Sequence, residues 1–459
     1  MRIQNIHFVG IGGSGMGGIA EIMHNLNYKI TGSDITKNTT TNKLEKIGVK
    51  VFNKHHPDNI KNAQAIVVSS AITNDNVELI AARQNRIPIV PRSQMLAEIM
   101  RFRYGIAISG THGKTTTTSL IAHILTEANL DPTFIIGGVL NATGNNAQLG
   151  SSRYLIAEAD ESDGSFLNLQ PMLSVITNID NDHMGTYQND TKKLEDSFLQ
   201  FISNLPFYGL CVLCSDDKGV ERILSRVSRS FICYGLSNNA DIQAINIQQT
   251  QSQMIFDVND HIRNKLFSIT LNLIGNHNIL NALAAITIAL ELKIDIKNIQ
   301  LALESFSGVG RRLESYGSVI LNDKKFLLFD DYAHHPNEIK ATLEGVKASY
   351  PKYRLVVIFQ AHRYSRTKDL FDDFVNILSK IDVLLLLDIY PANEEPIENI
   401  SATTLANSIR QRQQTIPIVT DLNNVIDVLK NIIKDDDIVI TMGAGSINTL
   451  AKNIKNVAN

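Results

Sequence analysis

A chain of 459 residues, 44% of them hydrophobic, with a formal net charge of −3 has the apolar content for packed cores and the length for about three domains of roughly 150 residues. The near-neutral charge excludes a global basic field for nucleic acid or an anionic membrane, and no run of about 20 apolar residues is present to span a bilayer. Met1 to Phe8 has neither the basic n-region nor the long apolar run of a signal peptide, so a cytoplasmic location is expected.

The first segment, residues 1–100, opens with a strand over Ile3–Val9, a glycine loop (Gly10, Gly12, Gly13, Ser14, Gly15, then Gly17 and Gly18) and an apolar helix over Ile19–Leu26. A second strand over Tyr28–Thr31 ends at Ser33-Asp34. This satisfies the fingerprint G-x-G-x-x-G with an acidic residue about 20 positions on, which places a diphosphate on a helix N-terminus without saying which nucleotide carries it. Further strands are predicted near Val49–Val51 and Ala65–Ser69, and helices over Asn76–Gln84 and Ser93–Arg101, giving a doubly wound unit. Pro88 to Pro91 marks the approach to a boundary.

The second segment, residues 101–312, holds the motif with the clearest chemistry. A buried strand, Gly105–Ile108, runs into Ser109-Gly110-Thr111-His112-Gly113-Lys114-Thr115-Thr116, and a helix follows to Glu127. Small residues admit backbone N–H groups to phosphate oxygens, lysine adds charge, and the threonine hydroxyl suits Mg²⁺. The loop is shorter than usual, with Ile108 where the first glycine would stand. Behind it, the strand Tyr154–Ala157 leads into Glu158-Ala159-Asp160-Glu161-Ser162-Asp163, four carboxylates suited to a hard cation. The strand Leu173–Thr177 ends in Asn178-Ile179-Asp180-Asn181-Asp182-His183, which puts His183 beyond a strand's C-terminal edge. Cys211 and Cys214 form a lone C-x-x-C with Cys233 apart, and without a second pair or a nearby histidine they read as reduced buried thiols. Short runs over Ile242–Ile247, Met254–Val258 and Leu266–Leu271 suggest an antiparallel edge. Gly275-Asn276-His277-Asn278 then opens an apolar helix over Ile279–Leu292, where asparagines serve as helix caps or bind an adenine edge. Gly308-Val309-Gly310-Arg311-Arg312 closes the segment as a hinge or an anion clamp.

The third segment, residues 313–459, alternates strands (Ser318–Leu321, Phe326–Asp330, Leu355–Gln360, Val383–Ile389, Ile416–Val419, Ile438–Met442) with helices (Asn337–Ala348, Asp369–Ser379, Ala402–Gln411, Asn423–Ile433, Ser446–Ile454). This reads as a second doubly wound unit. Polar clusters follow three of its strands: Asp330 to Pro336, Gln360 to Arg366, and Asp388 to Pro391. Strand C-termini are where such a sheet builds a site.

The strings GTHGKTTT, EADESDGSF, NIDNDHM, NHNILNALAA, GVGRRLE, DDYAHHP and HRYSRTKD occur in this order over nearly the whole chain and resemble the Mur ligases, closest to their alanine-adding branch. The resemblance implies an α/β protein of three domains. The first is a Rossmann-like doubly wound sheet that holds a UDP-sugar on Gly10 to Gly18 and Asp34. The second is a P-loop ATPase-type domain with a small antiparallel edge, and the third a Rossmann-like domain for the amino acid. The implied reaction joins L-alanine to the lactyl carboxylate of UDP-N-acetylmuramate through an acyl phosphate, with ATP and Mg²⁺, in a monomer or weak homodimer with no nucleic-acid or membrane partner. By the same resemblance Gly110 to Thr116 cradle ATP and Lys114 contacts its β- and γ-phosphates. Thr115, Glu158 and His183 hold metal, Asn278 and Asn281 meet adenine, Arg312 the γ-phosphate and Asp331 the ribose. Tyr332, His334, Arg363 and Arg366 form the amino-acid pocket.

Two departures stand out. Some relatives carry a carbamylated lysine about fifteen residues after the metal histidine, and here that position is Phe198. Ala361 stands where many alanine-adding members have proline, which softens that loop. A pocket distinguishes one methylene by only about 1–3 kcal/mol, so glycine and serine are expected to be poor substrates rather than excluded ones. The competing readings are a recycling Mur ligase that attaches a preformed peptide to the same UDP-sugar, and a nicotinamide-dependent dehydrogenase or nucleotide-sensing protein built on Gly10 to Asp34.

Overall fold

The computed structural model describes residues 3–69, 71–182, 184–412 and 415–458. The first sheet contains β1 (Asn5–Val9), β2 (Lys29–Ser33), β3 (Lys50–Phe52), β4 (Ala65–Val68) and β5 (Ile89–Pro91), connected through α1 (Ser14–Asn25), α2 (Thr39–Lys46) and α3 (Val77–Gln84) and followed by α4 (Arg92–Arg101). Its order is β3-β2-β1-β4-β5 and every pairing is parallel. The order reverses beside β1, which opens a crevice at the strand C-termini. The stretch ending at Pro91 is an edge strand on β4 and not merely an approach to a boundary. Proline is tolerated there because an edge leaves one N–H row unneeded.

The middle of the chain builds a ten-stranded sheet from β6 (Tyr104–Ser109), β7 (Thr133–Leu140), β8 (Asn145–Gln148), β9 (Tyr154–Glu158), β10 (Leu173–Ile176), β11 (Leu210–Cys214), β12 (Ser230–Gly235), β13 (Ile242–Gln249), β14 (Met254–Asp260) and β15 (Lys265–Leu271). Its helices are α5 (Lys114–Glu127), α6 (Thr191–Ser203), α7 (Lys218–Leu224), α8 (Asn276–Glu291) and α9 (Ile296–Ser305). The order is β15-β14-β13-β12-β11-β10-β6-β9-β7-β8. The phosphate-loop strand β6 lies between β10 and β9, parallel to both, and β8 closes one edge antiparallel to β7. At the other edge β13, β14 and β15 run as neighbours joined by short turns.

The third sheet contains β16 (Glu314–Leu321), β17 (Lys324–Asp331), β18 (Arg354–His362), β19 (Val383–Tyr390), β20 (Ile418–Val419) and β21 (Asp437–Met442) in the order β16-β17-β21-β18-β19-β20. Only β16 pairs antiparallel. Its helices are α10 (Pro336–Ser349), α11 (Tyr364–Asp369), α12 (Phe371–Leu378), α13 (Ala402–Gln411), α14 (Val425–Ile432) and α15 (Leu450–Ala458). Three expectations need correction. The helix expected over 369–379 is present as α12, which turns Phe374, Val375 and Leu378 into the core, but a separate short helix, α11, precedes it where none was expected. The strand expected over 416–419 shrinks to Ile418–Val419. Ala361 is not in a loop but buried inside β18, where the register shifts between Gln360 and His362.

By its contacts the chain forms two compact units. One comprises Met1–Gln248, Ile255–Asn272 and Asn278–Ser307, with the first two sheets; the other comprises Gln249–Met254, Leu273–His277 and Gly308–Asn459, with the third. Within the first unit α1 lies on β7 and β8. Gly18 permits this approach, since a Cβ there would stand 2.8 Å from the Ala147 Cβ, and Lys43 bonds Asn145 Oδ1 at 3.0 Å. The core of this unit runs through Phe166, Phe198 and Phe201, whose rings pack at 5.2 and 5.1 Å around Phe166. Phe198, the residue in place of a lysine, is fully buried there. No described helix is long and apolar enough to cross a membrane. Phe198→Ala should lower stability by about 3–5 kcal/mol, the cost of a cavity of that size. Urea unfolding of the two proteins measures it.

Candidate active site

The phosphate loop leaves β6 at Ser109 and enters α5 at Lys114. Gly110 and Gly113 adopt φ of +127° and +82°, which side-chain-bearing residues rarely do. Space forbids a side chain as well: a Cβ on Gly110 would meet Thr177 Oγ1 at 2.1 Å, and one on Gly113 would meet Asn281 Oδ1 at 2.5 Å. The helix cap is Gly113 and has no side chain, so the first N–H groups of α5 are not capped from that position. The segment after β10 grips the loop from the side. Thr177 Oγ1 and Asn178 Nδ2 donate to the His112 carbonyl at 2.6 and 3.0 Å, and Asn178 Oδ1 accepts the His112 N–H at 2.8 Å. The Thr111 hydroxyl accepts the Asp180 N–H at 2.9 Å, and His112 Nε2 lies 3.2 Å from Asp180 Oδ2.

Lys114 is the electrostatic centre. Its Nζ lies 2.9 and 2.8 Å from the two oxygens of Glu161, and donates to the carbonyls of Gly110 at 2.6 Å and Thr111 at 3.2 Å. Burial pulls the ammonium pKa down, and the negative charges of Glu161, Asp160 and Glu158 more than reverse this and raise it. The residue is therefore a partly buried cation. Thr115 and Thr116 are buried in the first turn of α5. Asn281 lies over this turn, accepting from Thr117 Oγ1 at 3.2 Å and donating to Asn278 Oδ1 at 3.1 Å. Both asparagines sit within α8, not at its cap. Glu158 ends β9 beside β6 and accepts the Gly137 N–H at 2.6 Å. The structure thus gathers Gly110 to Thr116, Asn278 and Asn281, with the acidic string beside them. His183 lies outside the described residues. Sequence reasoning chose Glu158 from the acidic string; Glu161, the partner of Lys114, has the same composition signal, and only the turn of the chain distinguishes the two.

The N-terminal glycine loop forms a second concave surface in this unit. The Ser33 carbonyl accepts the N–H groups of Gly10 at 2.9 Å and Ile11 at 3.1 Å. Asp34 Oδ2 accepts that of Gly12 at 2.8 Å, and Asp34 Oδ1 that of Thr36 at 2.9 Å. The carboxylate that a dinucleotide fingerprint aims at a ribose is here turned into the loop itself. Gly13 caps α1 without a side chain, followed by Ser14 and Gly15 in the first turn. The Arg92 guanidinium closes over this turn, with Nη1 2.7 Å from where a Gly15 Cβ would be and Nη2 3.7 Å from Asp160. A cavity of about 250 Å³, lined among others by Ser69, Ile72, Arg92, Ser93 and Asp163, opens at the ends of β4 and β5. It adjoins the loop, since Ile72 and Ser69 lie 3.3 Å from a Cβ built on Gly10.

The second unit gathers its own polar cluster at the ends of β17, β18 and β19. Arg311, with φ +61°, is structural: Nε donates to Asp330 at 2.9 Å and Nη2 to the Gly443 carbonyl at 2.6 Å. Its neighbour Arg312 lies over the Tyr332 ring at 5.0 Å. Tyr332 meets His334 edge-on at 5.3 Å, His334 meets His362 at 5.9 Å, and His362 stacks on Tyr390 at 5.4 Å. Arg366 is buried with Nη1 3.3 Å from His362 Nδ1, whereas Arg363 is exposed. Burial, then the nearby His334 and arginines, lowers the His362 pKa to about 4, leaving it neutral. Asp331 is buried and accepts from Thr342 Oγ1 at 2.6 Å and the Ala333 N–H at 3.1 Å; burial raises its pKa to about 6. His362 and Tyr390 join the cluster although neither was singled out for the pocket, and both stood in strings at strand ends.

Comparison with known proteins gives these surfaces a common context. Residues 5–104 match the model described as Mur ligase family, catalytic domain; residues 108–289 match the Mur ligase middle domain; and residues 311–445 match the Mur ligase, glutamate ligase domain. The chain is 59% identical over 455 residues to the UDP-N-acetylmuramate–L-alanine ligase of Vesicomyosocius okutanii, covering 99% of this chain and 97% of that one. Among solved structures, UDP-N-acetylmuramate-alanine ligase MurC from Thermotoga maritima superposes with a TM-score of 0.83 at 26% identity over 98% of both chains. A murein peptide ligase from Psychrobacter arcticus does so with 0.72 at 25% identity, covering 99% of this chain and 98% of that one. The chain belongs to the Mur ligase family.

Proposed function

We propose that this protein joins L-alanine to the lactyl carboxylate of UDP-N-acetylmuramate with hydrolysis of ATP to ADP and phosphate, an early cytoplasmic step of peptidoglycan precursor synthesis. The observation that carries the reading is the 59% identity to the alanine ligase over 99% of the chain. The Lys114–Glu161 ion pair at the N-terminus of a helix that has no side-chain cap at Gly113 is the chemistry it requires.

The division of labour follows the three sheets, with boundaries at residues 100 and 312. In the first, Gly10, Gly12, Gly13, Ser14 and Gly15 take the UDP diphosphate at the α1 N-terminus, and Asp34 shapes that loop rather than touching a ribose. The adjoining cavity of about 250 Å³ offers space for the nucleoside. In the second, Gly110, Thr111, His112 and Gly113 present backbone N–H groups to the ATP phosphates. The negative γ-phosphate then competes with Gly110 O and Thr111 O for the Lys114 ammonium. Asn278 and Asn281 meet the adenine. In the third, Arg312 contacts the γ-phosphate and Asp331 the ribose, while Tyr332, His334, Arg363 and Arg366 hold the amino acid. Of the two pocket arginines, the exposed Arg363 is suited to pair with the alanine carboxylate, and the buried Arg366 to support His362.

The donor set at the phosphate loop fits Mg²⁺. The Thr115 hydroxyl and the Glu158 carboxylate are hard oxygen ligands, and His183 is assigned to a second ion. Bound there, Mg²⁺ would neutralise charge on the phosphates. The lactyl carboxylate attacks the γ-phosphorus, the bond to the β-phosphate oxygen breaks, and ADP leaves. The alanine amine then attacks the carbonyl carbon of the acyl phosphate, loses its proton and expels phosphate. Lys114 stabilises charge that moves during the first step, which is where phosphoryl transfer needs the protein.

Phosphate release from Mg-ATP is the test. It should require both UDP-N-acetylmuramate and L-alanine. Release with a preformed L-Ala-D-Glu-containing tripeptide but not with alanine would assign the protein to the recycling ligases, and no release with either would sink the reading. Lys114→Ala should lower kcat by about 10²–10³, measured in the same assay. Arg363→Ala should raise the KM for alanine by an amount equivalent to about 1.5–3 kcal/mol, with the KM for ATP little changed. Steady-state kinetics with each substrate varied in turn would expose an equal rise in both.

A further inference from the structure

Behind the glycine loop lies an acid that the proposed chemistry does not use. Glu78, in the first turn of α3, is fully buried, as are His7 in β1 and Ser33 at the end of β2. Its Oε2 accepts from the Ser33 hydroxyl and lies 3.0 Å from His55 Nδ1. Its Oε1 accepts from Asn59 Nδ2 at 2.6 Å and from the His56 N–H at 3.3 Å, with His7 Nε2 3.6 Å away. One carboxylate therefore joins β1, β2, the segment after β3, and α3. Burial raises its pKa, but His7, Ser33 and Asn59 outweigh that and hold it at about 2. A buried carboxylate is tolerated only when its oxygens are satisfied in this way.

Ser33 transmits this anchoring to the loop. Its hydroxyl faces Glu78, while its carbonyl holds the N–H groups of Gly10 and Ile11, and Asp34 beside it holds that of Gly12. Three successive residues of the glycine loop are thus oriented by a two-residue segment whose first side chain is held by Glu78, with His55 Nδ1 3.0 Å from the same hydroxyl. We infer that Glu78 is a positioning residue for the sugar-nucleotide site: through Ser33 it sets the course of the loop that receives the diphosphate. This rests on the assignment of that loop to the UDP moiety. It goes further by making substrate affinity depend on a buried acid that touches no substrate.

The test compares Glu78→Gln, Ser33→Ala, Ser33→Thr and the E78Q/S33A pair with wild type. Glutamine keeps the volume but removes the charge, and alanine at 33 removes one hydroxyl while the carbonyl stays. Both single variants should raise the KM for UDP-N-acetylmuramate, and the Kd for UDP by calorimetry, about tenfold, the effect of one charge-assisted hydrogen bond. The kcat and the KM values for ATP and alanine should stay within about twofold. S33T, which keeps the hydroxyl, should restore the wild-type KM, and S33A should add little to E78Q because both variants already lose or weaken the shared Ser33–Glu78 contact through which the loop is positioned. A folded S33A with an unchanged KM for the sugar nucleotide, while wild type turns over normally, overturns the inference alone. So does a joint loss in kcat and in all three KM values with a lowered melting temperature in S33A. A wild-type protein that binds neither UDP nor the sugar nucleotide overturns the functional assignment, and this inference with it.

Discussion

A cation largely withdrawn from water must be surrounded by acceptors, and Lys114 sets that requirement for the middle of the molecule. Its ammonium lies within 2.9 Å of both Glu161 oxygens and within hydrogen-bond reach of two loop carbonyls. An unpaired charge in such a place would be destabilising. The loop after β6 and the turn after β9 must therefore be formed together. The parallel pairing of β6 with β9 brings their C-terminal ends side by side, and the segment after β10, on the other flank of β6, clamps the loop through Thr177 and Asn178. Three strand ends converge on one lysine, and the sheet order puts them there.

The same constraint explains which parts were legible in the sequence. Gly110 and Gly113 announce themselves because no other residue tolerates both their φ values and their neighbours at 2.1 and 2.5 Å. The three sheets follow from apolar runs that alternate with helical spacing, since parallel strands buried on both faces carry a continuous apolar signal. What was not legible was a short helix without an apolar face. The apolar period over 369–379 marks α12 (Phe371–Leu378), but α11 (Tyr364–Asp369) just before it has no such period because the residues it buries, Arg366 and Thr367, are polar. Hydrophobic periodicity reports a helix only where the face it buries is apolar. Ala361 is a further case: its polar neighbours suggested a loop, but backbone pairing with β19 extends β18 to His362.

Site residues were legible as strings and ambiguous as individuals. Four carboxylates in Glu158 to Asp163 share one composition, and the fold separates them: Glu158 meets the Gly137 N–H, Asp160 lies near Arg92, and Glu161 pairs with Lys114. Asp34 carries the expected acidic character at the expected distance from the glycines, yet it bonds Gly12. A one-dimensional motif records that an acid follows a glycine loop; it does not record whether the carboxylate faces a ligand or the loop. Likewise Arg311 and Arg312 are adjacent in sequence, but Arg311 is tied to Asp330 and the Gly443 carbonyl while Arg312 lies over the Tyr332 ring.

The two glycine loops of the first unit answer one physical problem in two ways. Each delivers a helix whose cap, Gly13 or Gly113, has no side chain, so each presents backbone N–H groups and the positive end of a helix dipole to an anion. The loop at Gly113 adds a lysine inside its own turn. The loop at Gly13 has no cation of its own and borrows Arg92 from the start of α4. A transferring phosphoryl group needs charge fixed close to the atoms that move, whereas a diphosphate that serves only as a handle needs orientation and modest attraction. The lysine in the turn suits the first need, and a hydrogen-bonded scaffold of Ser33 and Asp34 with a distant arginine suits the second. That difference in construction, more than either motif alone, supports the proposed division between a site for chemistry and a site for holding.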